Sequence, residues 1–215
     1  LGLVGAAISE RLIKAGFNLV GYDIEPKPQA DFKKIGGAAA ASVTDVFNRC
    51  DRVILSLPTS DVVAKVLHEV SDILHYGHII LDTSTGDPAA AVKLASILTP
   101  LGATYLDATI SGNSEQVRRG EVLLMVGGSK HAFQQCTEVI DAFSRRAIHT
   151  GLVGSGAQMK LVTNLVLGLN RAALAEGLAF ARTLHLDGKQ ALAIMRESMA
   201  YSRIMDTKGE KMLRG

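Results

Sequence analysis

Leu1-Gly2-Leu3-Val4-Gly5-Ala6-Ala7-Ile8-Ser9-Glu10-Arg11-Leu12-Ile13-Lys14-Ala15-Gly16-Phe17-Asn18-Leu19-Val20-Gly21-Tyr22-Asp23 decides the fold. A glycine-rich turn runs straight into a helical pattern. Apolar residues stand at 8, 12, 13 and 15, and Gly16 takes the C-cap position. Residues 17–23 then read as a strand. Gly2 and Gly5 match the last two glycines of G-x-G-x-x-G, whose first would fall one residue before Leu1. Asp23 lies 18 residues after Gly5, close to the ~20 expected for an acid that binds a ribose hydroxyl. Each position has a physical demand. Gly2 lets a pyrophosphate approach the backbone, Gly5 lets helix and strand pack closely, and the helix N-terminus faces the phosphate. Gly2, Leu3, Val4 and Asp23 are therefore the expected cofactor contacts at this end. A carboxylate at 23 favours NAD over NADP, since it repels a 2′-phosphate; nearby Lys27 leaves NADP possible.

Glycine-rich turns before helices are common, so the motif gains weight from the elements beyond it. Working outward, helices and strands alternate. Residues 28–35 read as a short helix, Ala38-Ala39 as a short strand, and Ser42 as the cap of a helix to Arg49 with Asp45 at the capping-box position. The apolar run 52–57 is a fully buried strand. A helix follows from Asp61 to about Leu74, then a strand at 78–82. Asp87 and Pro88 are the N-cap and first position of the next helix. Residues 104–110 and 122–126 are strands, 130–143 a helix, and 147–150 a last strand. This order predicts an α/β, doubly wound, mostly parallel sheet covered on both faces. Ligands bind such sheets beyond the carboxyl ends of the strands. Asp23, Pro58-Thr59-Ser60, Thr83-Ser84-Thr85 and Ser111-Gly112-Asn113 all fall there. Each cluster alone reads as turn chemistry; four on one edge read as a binding rim.

Only helical periodicity remains from Gly154. The 154–184 pattern would make a helix about 45 Å long at ~1.5 Å per residue. It is apolar on most faces, which predicts burial on several sides. Lys160 and Asn164 are four residues apart and share one face of it. An ammonium among Met159, Leu161, Val162 and Leu165 is costly to desolvate. Either Lys160 reaches water from the helix end or it lines a closed polar site. Asp187 caps a further helix over 187–199. The expected division is a dinucleotide-binding domain, 1–152, and the start of a helical domain, 153–215. A turn without a preceding strand at Leu1, and a helical pattern running to the last residues, read as a fragment.

Composition excludes several classes. Hydrophobic residues are 47% and charged residues 20%, with a net charge of +2. Basic residues are dispersed, so neither nucleic acid nor a membrane surface is an expected partner. Asn164, Asn170, Arg171, Glu176 and Arg182 interrupt the long helix, so it is not a membrane span. Cys50 and Cys136 lack metal spacing and read as buried thiols of a reduced, cytoplasmic protein. No metal site is expected. Of the six histidines only His75 and His78 lie close in sequence, and surface or capping roles suit all six. Ser9-Glu10 and Glu115 have no evident partner.

Taken together, Gly2-Leu-Val-Gly5, Leu57-Pro58-Thr59, Asp82-Thr-Ser-Thr85 with Pro88, Asp107 to Gly112, Met125-Val-Gly-Gly128 and Gly154-x-Gly156-x-x-x-Lys160-x-x-x-Asn164 resemble the β-hydroxyacid dehydrogenase family. They occur in that family's order along nearly the whole chain. The resemblance implies a Rossmann-type domain leading into an all-α domain, and hydride exchange between NAD(P) and a small hydroxy acid. It implies Lys160 as general acid and base, and Ser111, Gly112 and Asn164 as substrate contacts. It implies Leu57, Pro58, Val62 and Thr85 as further cofactor contacts. The family's usual Ser-Gly-Gly turn is here Ser111-Gly112-Asn113. Asn tolerates positive φ, and its amide is expected to meet an extra substrate hydroxyl. The apolar long helix implies a homodimer or homotetramer of the complete protein. Two other readings stand beside this one. A decarboxylating enzyme like 6-phosphogluconate dehydrogenase would need phosphate-binding cations, for which Arg118 and Arg119 are the candidates. A non-catalytic dinucleotide-binding module would not need Lys160.

Overall fold

A computed structural model describes residues 1–214. In chain order its elements are α1 (Leu3–Lys14), β1 (Val20–Gly21), α2 (Pro26–Lys34), β2 (Ala38–Ala39), α3 (Val43–Arg49), β3 (Arg52–Leu55), α4 (Ser60–Glu69), β4 (Ile79–Asp82), α5 (Pro88–Leu98) and β5 (Thr104–Ser111). There follow α6 (Ser114–Arg118), β6 (Leu123–Gly127), α7 (Lys130–Gln135), α8 (Thr137–Phe143), β7 (Arg146–Gly151), α9 (Ser155–Thr183), α10 (Gly188–Glu197) and α11 (Arg203–Leu213). The chain divides into two compact units, Leu1–Lys160 and Leu161–Gly215.

The first unit is built on a five-stranded sheet of order β3-β4-β5-β6-β7. β3, β4 and β5 are parallel, β6 is antiparallel to β5, and β7 is parallel to β6. The reversal at β6 has a simple cause. Residues 112–122 fall short of the dozen or more that a parallel crossover requires. β1 and β2 form a separate parallel pair, Val20 opposite Ala38. Strand alternation feeds two cores. Ile79, Leu81, Leu106, Ala108 and Val126 meet Ala7, Ile8 and Leu12 of α1 and Ile140 and Phe143 of α8. Ile80 and Tyr105 point the other way, to Phe47, Val63, Leu67, Leu94 and Leu98 of α3, α4 and α5. Helices therefore cover both faces, as the alternation of elements implies.

Local signals set most helix starts. Ser42, Thr59, Asp87, Ser129 and Asp187 each accept a hydrogen bond from a main-chain N–H of the following turn. Several boundaries differ from the sequence reading. The strand expected at 17–23 pairs only at Val20–Gly21. The helix expected to Leu74 ends at Glu69, and a 3₁₀ turn covers Ser71–Ile73. The helix expected at 130–143 breaks at Cys136 into α7 and α8, and the short α6 has no counterpart in the sequence reading. By contact the first compact unit runs to Lys160, because the first turn of α9 is bound to β5.

The second unit holds the rest of α9 with α10 and α11. Its core is Leu174, Leu192, Ile204 and Met205. Gly209 lets α11 approach Leu192, where a Cβ would lie 2.7 Å from a leucine methyl. The expectation that α9 is buried on several sides is corrected. Leu161, Leu165 and Leu169 are 59%, 64% and 60% exposed, because no described residue of this unit covers that stretch. No helix among the described residues is long and apolar enough to cross a membrane.

Candidate active site

Three carboxyl strand ends of the sheet carry the candidate residues. At the first, Gly5 of α1 lies against Ser56, just past β3, at a distance of 3.5 Å from its would-be Cβ. That is the close packing a small residue permits. A Cβ on Gly2 would meet nothing within 4 Å among the described residues. α1 begins with Gly2 at its N-cap and no side-chain cap, leaving its first N–H groups available to a phosphate. Asp23, past β1, accepts a hydrogen bond from the main-chain N–H of Glu25 at 3.0 Å. The acid is thus anchored within its own loop at the end of β1.

The loops after β3 and β4 are laced together. Leu57 donates its N–H to Ser84 Oγ at 2.9 Å, Thr83 Oγ1 donates to the Leu55 carbonyl at 2.7 Å, and Asp87 N–H donates to Ser60 Oγ at 3.0 Å. Ser84 and Thr83 are buried, so these two belong to the scaffold rather than to a binding rim. Thr85 and Pro58 are exposed or half-exposed, and Leu57 and Val62 half-buried, on the adjoining surface.

At the end of β5 the chain turns through Ser111 and Gly112. Gly112 has φ +148°, and a Cβ would lie 2.6 Å from Val122, so glycine is required there. Asn113 has φ −124°, and the expectation of positive φ is not met. Its Oδ1 instead accepts from Gln116 N–H at 2.9 Å, and Gln116 Oε1 accepts from Asn113 N–H at 3.1 Å. Asn113 is the N-cap of α6 in a full capping box. Lys160 reaches this turn from α9. Its Nζ donates to the Ile110 carbonyl at 2.5 Å. The side chain is partly buried, and burial lowers its pKa from the ordinary lysine value. Asn164 lies one helical turn further on and is exposed.

Behind the turn lie carboxylates to which the sequence alone assigns no role. Asp82 and Asp107 are opposite each other across β4 and β5. Tyr105 Oη donates to Asp82 Oδ2 at 2.5 Å. Burial pushes the pKa of Asp82 up against the opposing hydrogen bonds from Ser84 and Tyr105, and burial beside Asp82 pushes that of Tyr105 up too. Asp107 accepts N–H groups from Gly154 at 2.7 Å and Ala157 at 2.9 Å. Burial raises its pKa, with those bonds opposing. The signal that points to it is an acid inside the apolar run of β5.

Other candidates resolve into structure. Arg118 pairs with Glu10 at 2.9 Å, tying α6 to α1, and Arg119 pairs with Glu115 at 3.6 Å and Glu121 at 3.0 Å. Asp51, His75 and His78 cluster, but His78 is no surface residue. It is 1% exposed. Its Nδ1 accepts from His75 N–H at 3.2 Å, so its Nε2 carries the proton and donates to the Phe47 carbonyl at 3.0 Å. Both nitrogens are committed, and a metal would have to break one of these bonds. Cys136 is buried, whereas Cys50 is half-buried.

Residues 1–151 match the family model described as the NAD binding domain of 6-phosphogluconate dehydrogenase. Residues 154–215 match the model described as NAD-binding of NADP-dependent 3-hydroxyisobutyrate dehydrogenase. The chain belongs to the β-hydroxyacid dehydrogenase family. Among its relatives, mitochondrial 3-hydroxyisobutyrate dehydrogenase of Rattus norvegicus is 31% identical over 210 residues, covering 96% of this chain and 63% of that protein. The 2-(hydroxymethyl)glutarate dehydrogenase of Eubacterium barkeri is 29% identical, covering 99% of this chain and 72% of that protein. The solved structure of Mycobacterium tuberculosis 3-hydroxyisobutyrate dehydrogenase with L-serine superposes with a TM-score of 0.91 at 26% identity, covering 94% of this chain and 70% of that one. The chain thus spans 63% of the length of the mitochondrial family member. The family's Rossmann-type, mostly parallel sheet followed by a long helix is the architecture of this chain.

Proposed function

We propose that this chain is the larger part of an oxidoreductase that exchanges a hydride between NAD(P) and the alcohol carbon of a small hydroxy acid. The single observation that carries the reading is the amine of Lys160, partly buried and held on the Ile110 carbonyl at the Ser111-Gly112 turn. The uncapped start of α1 and the Asp23 carboxyl past β1 fit a dinucleotide. Gly2, Leu3 and Val4 would meet its phosphates, Asp23 a ribose, and Leu57, Pro58, Val62 and Thr85 the remainder. When bound, the nicotinamide supplies the hydride chemistry. Asp23 favours NAD, with NADP the alternative because Lys27 is near.

Lys160 moves the proton. In its neutral form it takes the proton of the substrate hydroxyl during oxidation, and as the ammonium it returns that proton during reduction. Burial lowers its pKa and so brings the neutral amine closer to working pH. Ser111 Oγ and the main-chain N–H at Gly112 suit a carboxylate. The Asn113 N–H is donated to Gln116 instead. The Asn113 side chain keeps its Nδ2 for a substrate hydroxyl, since Oδ1 caps α6. Asn164 is assigned to the substrate on the strength of the family resemblance. The exposed apolar stretch of α9 supports a homo-oligomer of the complete protein. A cytoplasmic location belongs to the same reading, although several family members carry the word mitochondrial in their names.

The name of the first family model favours a second reading, a decarboxylating sugar-phosphate dehydrogenase. Against it, Arg118 and Arg119 are engaged in ion pairs and offer a phosphate little. The test is a screen of small hydroxy acids and their phosphorylated counterparts on the full-length protein, followed by the absorbance of reduced nicotinamide. Turnover of an unphosphorylated acid is the expected result. Turnover of phosphorylated acids alone contradicts it.

A further inference from the structure

We propose that Asp107 is the positioning residue for Lys160: it sets the register of α9 on β5 and thereby the place of the amine. The inference rests on the reading of Lys160 as the proton carrier.

The geometry is local to the first unit. Asp107 stands in the middle of β5 and is 3% exposed. α9 starts after Gly154, which has no side chain with which to cap the helix. Asp107, 47 residues earlier, supplies the acceptors, one oxygen to Gly154 N–H and the other to Ala157 N–H. Thr109 Oγ1 donates to the Gly156 carbonyl at 3.0 Å, holding the same turn. Two glycines make the fit tight. A Cβ on Gly156 would lie 2.5 Å from the Asp107 carbonyl oxygen and 2.6 Å from that of Met125. A Cβ on Gly127 would collide with Asp107 Oδ1. The helix start thus sits on the strand with no room to slide. Lys160 is three residues beyond Ala157 on the helix, and Ile110 is three residues beyond Asp107 on the strand. The two contacts, 107 to 157 and 110 to 160, tie the helix start and the amine to the same strand.

A carboxylate has two acceptor oxygens where an amide has one. Asp107→Asn keeps the shape and loses one of the two bonds, leaving an N–H facing an NH₂ group. The experiment uses the full-length protein, with Asp107→Asn, Gly156→Ala and Lys160→Ala, alone and combined. Expected for Asp107→Asn is a kcat lower by roughly 10–100-fold, the scale of a small misplacement of a reacting group. NAD affinity is expected to stay unchanged, because the glycine turn is untouched. The pH midpoint of the oxidation rate is expected to rise toward that of a free lysine. Gly156→Ala, which displaces the same turn without altering a charge, is expected to reproduce both effects. Added to Lys160→Ala, Asp107→Asn is expected to change nothing further. If Lys160→Ala is inactive while Asp107→Asn and Gly156→Ala keep the wild-type kcat and pH midpoint, the positioning role is overturned and the Lys160 reading stands. If Lys160→Ala is fully active, the Lys160 reading itself fails. If Asp107→Asn and Gly156→Ala do not fold, Thr109→Val, which removes the bond to the Gly156 carbonyl at nearly constant volume, decides: kcat and pH midpoint displaced as above support the positioning role, and wild-type values overturn it.

Discussion

Lys160 Nζ donates to the Ile110 carbonyl at 2.5 Å, across 50 residues of sequence. The contact joins the first turns of the long helix to the last residues of the central strand. It places an amine where the strand gives way to the Ser111-Gly112 turn.

Under the proposed role of Lys160, the direction in which burial moves its pKa sets the pH dependence of the reaction. Its pKa lies below that of an ordinary lysine, about 10.4. Alcohol oxidation needs the neutral amine, so kcat/KM is expected to climb with pH and level off above a midpoint lower than that value. Carbonyl reduction needs the ammonium, so its rate is expected to fall through the same midpoint. Lys160→Arg stays charged throughout and is expected to lose the step. Profiles of wild type and variant in both directions check this, and a midpoint at or above free lysine contradicts it.

Asn113 is expected to show two separable effects. Asn113→Ala removes the cap of α6 and should lower stability by about 1 kcal/mol, whereas Asn113→Gly should cost only a few tenths. Denaturant midpoints measure this. Asn113→Gly also removes the side-chain amide, so the preference for hydroxylated over plain substrates should drop. An unchanged preference removes Asn113 from the substrate site and leaves it as a cap.

Asp23→Asn tests the cofactor corner. In the proposed site the ribose loses a carboxylate acceptor, and NAD is expected to bind about tenfold more weakly, or ~1.4 kcal/mol. NADP is freed of the repulsion and should gain relative to NAD. Titration with both nucleotides reads the ratio, and a ratio unmoved by the substitution refutes the assignment.

Tyr105→Phe removes the donor that meets the buried Asp82 at 2.5 Å. An unsatisfied buried acceptor costs about 1–3 kcal/mol, so the variant is expected to unfold at lower urea with an unchanged m-value. No loss of stability would show that Asp82 finds another donor.

Much of the fold is legible in the sequence, and the exceptions share a cause. Ser42, Thr59 and Asp87 cap helices because a cap is a contact within three residues. The β3 and β4 strands are legible because their apolar runs suit burial on both faces. Contacts between distant residues are not legible. Glu10 has no evident partner in the sequence because Arg118 stands 108 residues away. Asp107 is legible only as part of a motif, since the N–H groups it holds are 47 and 50 residues on. His78 reads as a surface residue because its acceptor, the Phe47 carbonyl, comes from another element. The apolar α9 pattern reads as burial, yet the described chain leaves it exposed. Periodicity reports a face that suits burial and does not supply the surface that covers it.

The central claim is that Lys160 carries the substrate's proton. It is tested most directly by comparing wild type with Lys160→Ala in the full-length protein, on whichever hydroxy acid the screen identifies. The expected result is a kcat lower by roughly 10²–10⁴-fold, the usual worth of general acid–base catalysis, with NAD binding and unfolding midpoint preserved. Equal rates for the two proteins would contradict the account.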